Sequence, residues 1–216
     1  MACKAAIFDL DGTILDSMPV WCNLCGEFLK KYGISENIDL DGKLGVISIA
    51  SALEYVIKEF KLDIDLESAC RQAWQIVGTF YREEVELKPG IAAILDELKR
   101  KNIPAGIITA SETGLVRDAL KRVGLEDYFD GGIISCADLQ TSKRTPEVFY
   151  IMSEKLGAAP EDTFVFEDAL YAGATAKKAG YTLAAVYDPS EKNPDKLAGL
   201  ADYYCQSWED FPLDVL

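Results

Sequence analysis

Near the start of the chain, Ile7-Phe8-Asp9-Leu10-Asp11-Gly12-Thr13 runs from apolar residues straight into two carboxylates and a glycine. In an open parallel sheet, ligands bind in the crevice outside the carboxyl ends of the strands. Acids placed just past an apolar run therefore belong to a site rather than to the core. Two carboxylates crowded into such a space repel, and a proton or a hard, oxygen-seeking dication such as Mg²⁺ relieves them. With a cation present, one acid is free to act as a nucleophile and the other as a general acid and base. An Asp-Gly turn after a strand accounts for Asp11 and Gly12 but leaves Asp9 unexplained. A second apolar run, Phe164-Val165-Phe166, closes in the same way on Glu167-Asp168. Two acid pairs at strand ends in one chain point to function more strongly than either does alone.

Asp9-Leu10-Asp11-Gly12-Thr13 resembles the first signature of the haloacid dehalogenase-like superfamily, most of whose members are Mg²⁺-dependent phosphoryl-transfer enzymes. Counterparts of its three later signatures follow in order. The second is Pro104-Ala105-Gly106-Ile107-Ile108-Thr109, an apolar run closing on a hydroxyl ahead of a helix start at Ala110-Ser111-Glu112-Thr113. A hydroxyl beside the orphan amides of a helix N-terminus makes a natural phosphate cradle. Thr109 and Ala110 are accordingly phosphate-binding candidates, together with Gly12, while Ser111 reads as a helix N-cap. The third is Ser142-Lys143-Arg144, with Pro146 suited to a first helical turn. Alone, such a lysine reads as a solvated surface charge. The resemblance instead gives Lys143 the task of holding the nucleophilic carboxylate against an incoming phosphate. The family often has Gly-Lys-Pro here, and the departure leaves the role of Arg144 open. The fourth is Glu167-Asp168 with its small-residue helix downstream. The resemblance implies Asp9, Asp11 and Asp168 as Mg²⁺ ligands, with Glu167 bonding a water on the metal.

The elements that must carry these residues are legible as well. Apolar residues recur at helical spacing over residues 21–32, 49–60 and 66–81, with no good strand between them. After Lys88-Pro89-Gly90, which opens a helix to Lys101, strand and helix patterns alternate, with strands expected over 105–109, 132–135, 163–167 and 182–186. The expected fold class is α/β: a Rossmann-like parallel sheet flanked by helices, with an inserted all-helical cap domain. Residues 1–17 and 87–216 would form the catalytic core and residues 18–86 the cap. The cap resembles that of the phosphoglucomutase-like and phosphoglycolate-phosphatase-like subgroup, and such a lid excludes water and imposes substrate choice.

Composition narrows the chemistry further. Lys and Arg total 22 against 36 Asp and Glu, a net charge of −14, which argues against nucleic acid as a binding partner. The absence of histidine excludes Ser-His-Asp triads and typical catalytic zinc centres, so acid and base work falls to carboxylates. Six scattered cysteines, with no signal peptide and no membrane-length apolar run, lead us to expect a reduced cytoplasmic setting without membrane association. Cys22 and Cys25 have redox-motif spacing but sit in a helical pattern without a preceding strand, and read as helix-face residues. The expected oligomeric state is a monomer or a weak homo-oligomer.

The resemblance implies an enzyme hydrolysing a small phosphorylated metabolite. Asp9 attacks phosphorus and forms an aspartyl-phosphate, while Asp11 protonates the departing alkoxide and then activates water; Thr109 and Lys143 hold phosphate oxygens. A sugar phosphomutase would use the same core, but the best-known relatives of that kind carry a histidine and an arginine where this chain has Trp21 and the Gly45-Val46-Ile47-Ser48 neighbourhood. A dehalogenase would need the nucleophile but no metal, which the second acid pair argues against. A catalytically silent binding domain has no physical need to keep like charges crowded together. Trp21 and Lys43 have no assigned role, and Lys43 reads as a solvated loop lysine.

Overall fold

The alternation of apolar strand and amphipathic helix after residue 88 builds the architecture it predicts, a parallel sheet covered by helices. The computed structural model of the chain describes residues 3–35 and 49–216. Lys43 and the segment 45–48 singled out above lie outside the described residues. The chain divides into two units, Met1–Met18 with Val85–Leu216, and Pro19–Glu84.

The helical unit contains α1 (Met18–Cys22), α2 (Leu24–Lys30), α3 (Ile49–Glu59) and α4 (Leu66–Glu83). Helices α2, α3 and α4 pack on one another through the buried Phe28, Leu29, Leu53, Val56, Ala73 and Val77. Helix α4 starts at Asp65, whose carboxylate accepts from the Ser68 N–H (2.8 Å) and satisfies an orphan donor of the first turn. The single helix expected over 21–32 is two, broken at Asn23, whose φ and ψ of −106° and 9° leave the helical region. The Asn23 amide donates to Glu27 Oε1 (2.9 Å) and lies over Gly26, where a Cβ would come within 2.4 Å of Asn23 Oδ1. A short amide side chain that bonds locally in this way competes with regular helix.

The second unit holds one six-stranded parallel sheet. Its strands are β1 (Ala5–Phe8), β2 (Ala105–Thr109), β3 (Gly132–Ser135), β4 (Thr163–Glu167), β5 (Thr182–Val186) and β6 (Tyr203–Cys205), in the order β3-β2-β1-β4-β5-β6. Helices α5 (Ile91–Lys101), α6 (Thr113–Val123), α7 (Glu147–Leu156), α8 (Leu170–Lys178) and α9 (Pro194–Leu200) connect them. Strands β1, β2 and β4 are buried throughout, as strands covered on both faces must be, and so they read as unbroken apolar runs. Alternation along β1 sends Ala5 and Ile7 into one core layer with Ile108, Phe149, Met152 and Val165. Phe8 faces the other way and stacks on Phe166 with ring centroids 4.3 Å apart, and Phe166 in turn meets Trp208 and Phe211. Helix α7 lies so close to β2 that a Cβ on Gly106 would fall 2.3 Å from Met152 Sδ.

The strand order positions the site. The chain leaves β1 towards β2 on one side and later returns to place β4 on the other, so the sheet order reverses at the carboxyl ends of β1 and β4. Such a switch point opens the crevice in which α/β folds bind ligands. Phe8 pairs with Phe166 in register, which puts the residue after β1, Asp9, beside the end of β4, Glu167.

Candidate active site

Asp9 leaves β1 still tied to the sheet, its N–H donating to Phe166 O (2.9 Å), with its side chain only 6% exposed. The ammonium of Lys143 reaches it from the loop ahead of α7, donating to Asp9 Oδ1 and to Glu167 Oε1. The other Glu167 oxygen accepts from the backbone N–H groups of Asp168 (3.1 Å) and Ala169 (3.0 Å) at the entry to α8. Glu167 is thus fully engaged in fixing Lys143 and the turn that presents Asp168. The lysine that reads as a surface charge in sequence is 4% exposed, because two carboxylates replace its water.

Asp168 lies against the loop after β1. Its Oδ1 accepts from Thr13 Oγ1 (3.2 Å), and Gly12 passes so close that a Cβ there would sit 2.2 Å from Asp168 Oδ2. Gly12 also has φ of +83°, so both space and backbone conformation require glycine. Trp208 supports this loop from below, its Nε1 donating to Thr13 O (2.7 Å).

Asp11 is held differently. Its Oδ1 accepts from Ser17 Oγ (2.6 Å) and its Oδ2 from Ser111 Oγ (2.7 Å), and it keeps partial exposure. This corrects the reading of Ser111 as a helix N-cap. Helix α6 begins two residues later, with Glu112 in the N-cap position, and the Ser111 hydroxyl donates to Asp11. The Ser111 N–H instead donates to Thr109 Oγ1 (3.0 Å), which holds the buried Thr109 hydroxyl at the end of β2. Ala110 between them is exposed. Nothing in the sequence marks Ser17 or Ser111 as a partner of Asp11, since a lone hydroxyl carries no spacing signal.

Among the described residues, carboxylate oxygens of Asp9, Glu167 and Asp168 all lie within 4.8 Å of one another, and all three residues are buried. Asp11 does not belong to this group. Burial pushes the Asp9 carboxyl up, the Lys143 charge opposes it, and Glu167 and Asp11 add to it, leaving it at about 7. Burial first, then the charges of Asp9 and Glu167, raise Asp168 well above the usual carboxylate range. Burial would lower Lys143, but the charges of Asp9 and Glu167 outweigh it and hold the amine well above its ordinary value. Three carboxylates thus face one ammonium in a dry space. This is the donor chemistry of a hard divalent cation, which Mg²⁺ fits through oxygen ligands.

The Arg144 guanidinium is stacked 4.6 Å over the ring of Tyr171. Trp21 donates from Nε1 to Tyr81 Oη (3.1 Å) and meets Trp74 edge-on within the helical unit. All six cysteines are free, with Cys22 exposed and Cys25 buried. No helix among the described residues is long and apolar enough to cross a membrane.

Residues 6–186 match the family model described as haloacid dehalogenase-like hydrolase. The chain is similar to a phosphorylated carbohydrates phosphatase of Thermotoga maritima, 25% identical over 177 residues that cover 82% of each chain. It is also similar to fructose-1-phosphate phosphatase YqaB of Escherichia coli, 29% identical over 178 residues, covering 81% of this chain and 91% of that protein. A crystal structure of a HAD hydrolase of family IA, variant 3, from Entamoeba histolytica superposes with a TM-score of 0.78 at 23% identity, covering 98% of this chain and 96% of the other.

Proposed function

The chain belongs to the haloacid dehalogenase-like hydrolase family, and from that membership and the site's geometry we propose that it is a Mg²⁺-dependent phosphatase of small phosphorylated sugars, working through an aspartyl-phosphate on Asp9. It is a phosphoric monoester hydrolase, as its relatives named for phosphorylated carbohydrates are. The observation that carries the reading is Asp9 itself, a buried carboxylate at the sheet's switch point, gripped by Lys143 and adjacent to Asp168. We assign the helical unit Pro19–Glu84 to the family's cap.

Asp9 and Asp168 would hold the divalent ion, whose chemistry is to neutralise charge so that a phosphate dianion can approach carboxylates. Asp9 attacks the phosphorus in line; a P–O bond to Asp9 forms and the ester P–O bond breaks. Asp11, protonated, gives its proton to the departing alkoxide. As a carboxylate it then takes a proton from water, which attacks the phosphorus and breaks the P–O bond to Asp9, releasing inorganic phosphate and restoring both acids. The serine bonds suit Asp11 to this task, because hydroxyls orient an oxygen without fixing its charge. Lys143 stabilises the charge that builds on the phosphate oxygens, and the Thr109 hydroxyl and nearby backbone orient them. Glu167, engaged by Lys143 and two amides, has a positioning role.

The deciding variant is Asp9→Asn, which keeps shape but removes the nucleophile. Folded protein should lose turnover of p-nitrophenyl phosphate by at least about 10⁴-fold, with no acid-stable phosphoprotein on rapid quench. Retained turnover would remove Asp9 from the mechanism.

A further inference from the structure

Among the described residues outside the Asp9–Asp168 cluster, a second ion pair is buried. Lys88 Nζ donates to Asp188 Oδ2 (2.6 Å), the side chains being 10% and 1% exposed. The other Asp188 oxygen accepts from the Ser190 N–H (2.9 Å) and Ser190 Oγ (2.6 Å), and Lys88 Nζ also donates to Tyr187 O (3.3 Å).

Both partners sit directly behind the site. The Lys88 backbone N–H donates to Ile14 O (2.8 Å), Leu87 pairs with Leu15, and Asp16 N–H donates to Glu86 O (3.0 Å). Residues 86–88 therefore run alongside the loop that carries Asp11 and Gly12. The loop after β5, which carries Asp188, backs the other acid pair. Its Glu191 accepts from the Leu170 N–H (2.8 Å), two residues past Asp168. The turn that presents Asp168 and the loop that carries Asp188 are thus joined by a direct hydrogen bond.

We propose that Lys88 and Asp188 are positioning residues that set the affinity of the Asp9–Asp168 cluster for a divalent cation: Asp188 adds negative potential behind Asp168 and Lys88 limits it. The pair acts at one remove, through Asp168 and the two loops, and touches neither substrate nor cation. Opposite charges at neighbouring points must shift cation affinity in opposite directions when deleted singly, and cancel when deleted together. A pair that only braces the fold would lower affinity from either side, if at all.

The inference rests on the cation-site reading given above. The test is Mn²⁺ binding to the full chain without substrate, followed by electron paramagnetic resonance with Mg²⁺ as competitor, beside thermal melting of each variant. Asp188→Asn, which keeps the shape and the Ser190 bonds but leaves Lys88 unbalanced, should weaken binding about tenfold. Lys88→Met should tighten it by several-fold, and the double variant Lys88→Met/Asp188→Asn should return within about twofold of the unaltered protein. Should Lys88→Met not fold, Asp188→Asn and the double variant decide alone. The proposal is overturned if Asp188→Asn binds as tightly as the unaltered protein, or if both single variants weaken binding in step with their melting temperatures. Absence of Mn²⁺ binding by the unaltered protein would sink the cation site itself, and this inference with it.

Discussion

The two acid pairs look alike in sequence, each an apolar strand ending in carboxylates, yet the structure treats their members unequally. Asp9, Glu167 and Asp168 meet at the shared centre while Asp11 stays outside it, and Asp11 and Glu167 are the two whose carboxylate oxygens are both tied by hydrogen bonds. The ties differ in kind. Asp11 is held by two serine hydroxyls and stays partly exposed, whereas Glu167 is held by an ammonium and two backbone amides and is 1% exposed. Hydroxyls accommodate either protonation state of a carboxyl, because each can donate or accept. An ammonium and amides only donate, and they favour the charged form alone. In the proposed mechanism, proton traffic accordingly falls to Asp11 and fixed geometry to Glu167.

The strongest way to break that contrast is Asp11→Asn. With a sugar phosphate, whose alkoxide needs a proton, turnover should fall about 10³-fold. With p-nitrophenyl phosphate, whose leaving group needs none, the first step survives and the second stalls. Stopped-flow should then show a burst of one equivalent of p-nitrophenolate followed by slow release. Equal losses on both substrates, with no burst, would take the acid and base role from Asp11. Glu167→Gln sharpens the same contrast from the other side. It should cost about 10²-fold in kcat/KM on both substrates alike, without a burst and with a lower melting temperature, because Lys143 loses a charged partner. A burst in this variant would mean that Glu167 shares the proton work.

Much of this was legible before the structure. The strands expected over 105–109, 132–135, 163–167 and 182–186 coincide with β2 to β5, and β2 and β4, covered on both faces, are the ones buried throughout. Strand β6 carries no sequence signal, since three residues with Cys205 alone buried show no period. The break at Asn23 was hidden under an unbroken helical spacing of apolar residues. In the site, Asp9, Glu167 and Asp168 announce themselves as acids at strand ends. Lys143 needs the resemblance, because the two carboxylates that bury it lie 134 and 24 residues away. Ser111 and the Lys88–Asp188 pair leave no trace, for each works through one contact 100 residues away whose partner only the fold supplies, and Ser17, six residues from Asp11, has a spacing that marks nothing.

Asp188 extends the contrast as a third buried acid tied to an ammonium. Burial pushes its carboxyl up, but the bonds from Lys88 and Ser190 outweigh that and hold it below the usual carboxylate range. A folded-state value below the unfolded one contributes stability that is fully present above the ordinary carboxylate value and lost as pH falls through the folded one. Asp188→Asn should therefore cost about 3 kcal/mol in urea unfolding at pH 7, leaving Lys88 buried without its partner. The gap to the unaltered protein should hold to about pH 5 and narrow on further acidification. A gap that widens in acid would show that the pair is not what holds the Asp188 carboxyl down.

The smallest effects should come from the hydroxyls. Ser17→Ala and Ser111→Ala each remove one neutral donor from a carboxyl that is partly exposed. Solvent can therefore replace most of the lost bond, and the net cost of such a bond is about 1 kcal/mol or less. Each variant should slow hydrolysis of a sugar phosphate by about threefold, and the double variant by about tenfold, because the donors serve different oxygens of one carboxyl. Urea midpoints should barely move for Ser111→Ala. Ser17 is fully buried, so its variant can show a modest loss of stability without a larger loss of rate. If either serine variant lost as much activity as Glu167→Gln, the hydroxyl ties would be as rigid as the ammonium tie. Asp11 and Glu167 would then no longer differ in the way that gives one the proton and the other the scaffold.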